Sequence, residues 1–126
     1  MIATKGRFPP PKKKGSYGAS RRDLTRAIEG SLKYLGQEAI DVYFLHGWDR
    51  HTPILGTLAT PTDLVKTGKI HNISWPNVSG WQLQKIVSPA QTKGFAMPLA
   101  MQPQHNLLER GVEAEVLPCC LKTKSC

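Results

Sequence analysis

His46 closes a mostly apolar, β-favouring run, Ile40-Asp-Val-Tyr-Phe-Leu45, and places an imidazole at its carboxyl end. The carboxyl end of a strand is where barrel enzymes assemble their sites, so His46 is the first candidate for chemistry. Two residues on, Trp48 offers an aromatic wall to a pocket, although tryptophan serves packing more often. The other histidines, His51, His71 and His105, read as loop or surface residues, and no pair among them has the spacing of a metal site. Cys119, Cys120 and Cys126 all fall in the last eight residues, with neither a Cys-x-x-Cys pair nor zinc-ligand spacing. No metal is expected. Cys119 and Cys120 lie in a helical pattern and read as small packing residues, and a reducing, cytoplasmic compartment is the default.

Several common sites are excluded. No Gly-x-Gly-x-x-Gly follows a strand-like run, and the chain lacks a Walker loop, a Gly-x-Ser-x-Gly elbow and a His-Glu-x-x-His helix. The net charge of +8 suggests nucleic acid until it is located. Residues 1–26 hold eight basic side chains against one acid, Asp23, whereas the rest of the chain is nearly neutral. The centre of this charge is Pro9-Pro-Pro-Lys-Lys-Lys14, with Phe8 and Tyr17 flanking it but no aromatic residues interleaved for stacking. It reads as a solvated loop, so no nucleic-acid partner is expected on these grounds. A chain of 126 residues with 40% hydrophobic and 21% charged side chains has the composition of one globular domain. No apolar run reaches the ~18 residues of a membrane span, and no signal-peptide pattern follows Met1.

The elements that must position these residues alternate between apolar runs and helical patterns, as in repeated βα units. Met1–Thr4 reads as the end of a strand, followed by a Gly/Pro/Lys loop over 6–19. Ser20 and Asp23 cap a helix with Leu24, Ile28, Leu32 and Leu35 on one face, and Gly36 stands at its C-terminal cap. Residues 40–46 form a strand buried on both faces. The next helix, 53–67, is expected to break near Ala59–Thr60, because Pro61 inside a helix costs ~3 kcal/mol. Lys69–Ser74 is a strand, Ser79-Gly-Trp-Gln82 opens a helix carrying Trp81, Leu83, Ile86 and Val87, and 96–102 is a further strand. Val112–Leu121 is a last helix, disturbed by Pro118. The order implies a parallel sheet with right-handed crossovers.

Six runs, in order, resemble one family, the aldo-keto reductases: Ile2-Ala-Thr-Lys-Gly6, Ser31-Leu-Lys-Tyr-Leu-Gly36, Ile40-Asp-Val-Tyr-Phe-Leu-His-Gly-Trp-Asp49, Asp63-Leu-Val-Lys-Thr-Gly-Lys-Ile70, Asn77-Val-Ser-Gly-Trp-Gln-Leu83 and Met101-Gln-Pro-Gln-His-Asn-Leu-Leu-Glu-Arg110. The resemblance implies an α/β fold, a partial (β/α)8 TIM barrel comprising about strands 3 to 6 with their helices. Residues 1–120 would form this incomplete barrel domain and 121–126 a divergent C-terminal tail. It implies an NADPH-linked oxidoreductase that reduces aldehydes or ketones, with a small-molecule carbonyl as substrate. In that family a hydride passes to the carbonyl carbon while a tyrosine protonates the oxygen.

Lys5 resembles the family's lysine, whose charge lowers the tyrosine pKa, and His46 resembles the histidine that orients the carbonyl oxygen. Trp48 would line the substrate pocket. Asn77 and Gln102 match two of the amide and hydroxyl groups that hold the nicotinamide carboxamide; the third, a serine, is Pro76 here. The tyrosine and aspartate of the family's tetrad would lie upstream of Met1, and Tyr17, Tyr34 and Tyr43 sit in no matching motif. The chain is therefore expected to be weakly active or inactive alone, to bind NADPH poorly, and to self-associate through open sheet edges. Lys5 and His46 are expected to share one rim with Trp48, Asn77 and Gln102. The alternative is a non-enzymatic remnant or partner-binding module that keeps the barrel pattern.

Overall fold

Four strands alternate with helices in the computed structural model, whose described residues are 1–6 and 18–123. The Pro/Lys run at 9–14, Tyr17 and residues 124–126 lie outside them. Strands β1 (Ala3–Gly6), β2 (Ile40–Leu45), β3 (Ile70–Trp75) and β4 (Pro98–Met101) form one parallel sheet in that order. Helices α1 (Arg21–Leu35), α2 (Ile54–Lys66), α3 (Gly80–Lys93) and α4 (Val116–Thr123) follow them in turn. A singly wound parallel order places successive crossover helices along one side of the sheet, as in a barrel segment. Ile28, Ile40, Leu45, Leu58, Ile70, Ile73, Leu83 and Ile86 are buried in the shared core. Among the described residues no helix is long and apolar enough to cross a membrane.

Local signals account for most boundaries. Ser20 accepts the Asp23 N–H at 3.3 Å and its hydroxyl donates to the Asp23 carboxylate at 2.7 Å, which starts α1. Gly36 ends it in the left-handed region, φ 62°, where a side chain would be strained. Leu24 and Ile28 are buried, Leu32 is half-buried, and Leu35 is exposed near the helix end. The Ser79 N–H donates to Gln82 Oε1 at 2.9 Å at the start of α3. Strand β1 occupies residues 3–6, two later than its sequence pattern suggests.

Three elements depart from expectation. Helix α2 runs unbroken through Pro61 instead of breaking near Ala59–Thr60. Thr57, Thr60, Pro61, Thr62 and Leu64 are all buried, so packing offsets the roughly 3 kcal/mol that an interior proline costs. The Thr62 hydroxyl, donating to the Leu58 carbonyl at 2.7 Å, also supports this turn. Trp81 is 54% exposed and does not join the core. It lies two residues before Leu83, and residues so spaced point to different sides of a helix. The last helix is split into a 3₁₀ turn, Gly111–Glu113, and α4. Pro118 is the third residue of α4, within a first turn whose N–H groups need no helical partner, so it starts the helix and does not disturb it. Cys120 is buried like a packing residue, while Cys119 is a partly exposed free thiol.

The amino-terminal end of the sheet holds a titratable latch. The Ile2 N–H donates to Asp41 Oδ2 at 2.6 Å, and His71 Nδ1 lies 3.3 Å from Asp41 Oδ1. The Ile2 hydrogen bond first, then His71, holds the Asp41 carboxyl below the ordinary carboxylate pKa. A depressed folded pKa contributes stability above the unfolded value of about 3.9, and that contribution disappears as pH falls through the folded pKa. The protection of the Asp41 and Val42 amides, both donating to the Ile2 carbonyl, should therefore fall below pH ~4 when exchange is taken relative to the intrinsic rate at each pH. Asp41→Asn should abolish this acid sensitivity; an unchanged pH profile in that variant would refute the latch.

Candidate active site

The carboxyl ends of the four strands form one rim. Lys5 is in register with Phe44 and Gly6 with Leu45, and the His46 N–H donates to the Gly6 carbonyl at 3.0 Å. Because side chains alternate along a strand, Lys5, Phe44 and His46 share one face of the sheet. The exposed Lys5 ammonium lies 5.6 Å from the centre of the Phe44 ring, an attraction of about 0.5–1 kcal/mol at such a site. Strand β1 is paired along its length with β2, so Lys5 is not in a frayed terminus.

The opposite face of the same two strands holds Gly6 and Tyr43. Tyr43 is fully buried, and its hydroxyl has no hydrogen-bond partner among the described residues. Burial pushes its phenol above the ordinary tyrosine range, which favours the neutral form and opposes proton release. Facing away from His46, Tyr43 cannot protonate a group held at the rim. Tyr34 is 92% exposed on α1.

The next two strand ends carry the amides. Asn77 follows β3 after the buried Pro76 and is exposed, with φ 52°. It has the left-handed backbone alone among the described non-glycine residues, and such outliers concentrate at functional sites. Gln102 directly follows β4, its side chain exposed and its N–H donating to the Trp75 carbonyl at 3.4 Å. Trp48 is partly buried, packs on the core, and meets Trp81 edge-on with ring centres 5.5 Å apart. The structure thus brings Lys5 and His46 onto adjacent strands and sets Asn77 and Gln102 at the two following strand ends.

The model of the Aldo/keto reductase family matches residues 1–125. The chain belongs to the aldo/keto reductase family. Its parallel sheet is accordingly a segment of the family's (β/α)8 barrel. It is 33% identical to versiconal hemiacetal acetate reductase of Aspergillus parasiticus, over 95% of this chain and 37% of that protein. It is 34% identical to aflatoxin B1 aldehyde reductase member 2 of Rattus norvegicus, over 73% of this chain and 25% of the relative. An uncharacterized oxidoreductase of Bacillus subtilis is 37% identical over 80% of the chain and 31% of its own length. The chain thus spans about a third of these family members.

Two rim features escaped the reading of sequence. Asp49, inside the run that resembles the family, gathers three donors through its carboxylate. Trp81 forms an aromatic pair with Trp48. The Ala19 amide on Asp49 and the Trp48 ring on Trp81 both come from 30 or more residues away in the chain, where no local pattern signals them.

Proposed function

We propose that this chain carries the carbonyl-orienting and cofactor-holding part of an NADPH-linked reductase of aldehydes or ketones. The common rim supports this reading most strongly: Lys5, His46, Asn77 and Gln102 sit at the carboxyl ends of four successive parallel strands. His46 would hydrogen-bond the substrate carbonyl oxygen and stabilise the charge that develops there. Lys5 would favour the phenolate of a proton-donating tyrosine, and Trp48 would wall the substrate pocket. Asn77 and Gln102 are exposed amides that both donate and accept, a set that fits the nicotinamide carboxamide. NADPH, when bound, supplies the hydride. Pro76 offers neither a side-chain nor a backbone donor where the resemblance expects serine.

Among the described tyrosines neither Tyr34, exposed on α1, nor Tyr43, buried on the face away from His46, can serve as the proton donor, and a site without that donor loses general acid catalysis worth roughly 10²–10⁴-fold. On this reading the activity of the chain is weak. NADPH should bind with a dissociation constant above ~100 μM, about −5 kcal/mol or weaker. Asn77→Ala and Gln102→Ala should weaken it further, whereas Pro76→Ser should tighten it by about fivefold, the worth of one net hydrogen bond. Saturation-transfer NMR on the nicotinamide protons, with tryptophan fluorescence for affinity, measures all three. Micromolar affinity indifferent to Asn77 and Gln102 would overturn the proposal.

A further inference from the structure

The β2–α2 loop carries both His46 and Trp48. The His46 N–H fastens its start to the Gly6 carbonyl, and just past Trp48 one carboxylate gathers several donors. Asp49 Oδ2 accepts the Ala19 N–H at 2.8 Å and the Thr52 hydroxyl at 2.8 Å, while Oδ1 accepts the His51 N–H at 2.9 Å. Ala19 is 3% exposed and stands just ahead of α1, so the bond at its amide fastens the loop to a different βα unit. The approach is close: a Cβ on Gly18 would lie 3.1 Å from the same Oδ2.

We infer that Asp49 is a positioning residue, the clamp that holds the His46–Trp48 loop at the rim of the proposed carbonyl site. This rests on the reading of that rim as a reductase site. The clamp acts through its neighbours: fixing residue 49 fixes the path from His46, and it seats the Trp48 ring against Trp81 at 5.5 Å and 63°. Three donors converge on an acceptor-only group. An asparagine of the same shape would keep one acceptor oxygen and turn an NH2 toward a donor. Asp49→Asn should thus fail although it preserves volume, which simple packing would not predict.

The test measures the Trp48–Trp81 exciton couplet by circular dichroism, assigned with Trp81→Phe, together with amide exchange at Ala19 and His51. Asp63→Asn is the control, since Asp63 also ties α1 to another element, through Arg21 at 2.7 Å, but away from the rim. Asp49→Asn is expected to lose most of the couplet and to exchange the Ala19 and His51 amides about tenfold faster, with the control unchanged in both. Should Asp49→Asn not fold, Thr52→Val removes one donor alone and is expected to diminish the couplet. Retention of couplet and protection in Asp49→Asn, or an undiminished couplet in Thr52→Val, would overturn the inference. None of these readouts needs NADPH or a carbonyl. Failure of the clamp therefore shows separately from failure of the reductase reading, which cofactor binding tests.

Discussion

Gly6→Ala destabilises the chain by about 3 kcal/mol or more, and Tyr43→Phe in the same chain recovers part of that loss. A Cβ at Gly6 would fall on the Tyr43 hydroxyl and lie 2.7 Å from its Cζ, with the Ala27 Cβ 3.3 Å away on α1. No rotamer of Tyr43 relieves this cheaply, because the ring is fully buried between β2 and α1. Tyr43→Phe alone should be neutral or stabilising by about 1 kcal/mol, since it removes a buried hydroxyl with no partner among the described residues. The double variant should then be more stable than the sum of the single effects allows, as expected for residues in contact. Urea unfolding of the four chains gives the coupling. Strict additivity would show that the two strands are not packed as described. The effect reaches the site, since the Gly6 carbonyl anchors the His46 N–H.

What the sequence discloses about this fold is mostly local. The mostly apolar run 40–45, the Ser20–Asp23 cap, Gly36 and the Ser79–Gln82 pair all act within a few residues, and each marks its boundary in the structure. The failures are tertiary. Pro61 is an obstacle to an isolated helix, yet in α2 it is buried among Thr57, Thr62 and Leu64, and packing overrides its intrinsic cost. Trp81 shares a helix with Leu83, Ile86 and Val87, yet its angular position on α3 leaves it exposed and turned toward Trp48. Placement of Lys5, His46, Asn77 and Gln102 at strand ends was legible because each directly ends or closely follows a β-favouring run. The Asp49 clamp was not, since its decisive partner, Ala19, is 30 residues away and contributes only a backbone amide.

His46→Ala should lower aldehyde-dependent oxidation of NADPH by about 10²-fold, the usual loss when one donor to a developing oxyanion is removed. Lys5→Met should cost less in this chain, because the tyrosine on which its charge would act is not among the described rim residues. The sharpest test is the rate at which reduced-nicotinamide absorbance falls on adding an aldehyde, compared between the chain and His46→Ala with the aldehyde-free rate subtracted. The expected result is slow, aldehyde-dependent consumption that His46→Ala nearly abolishes. A rate unaffected by His46→Ala, or none above the aldehyde-free rate in the unaltered chain, would contradict it.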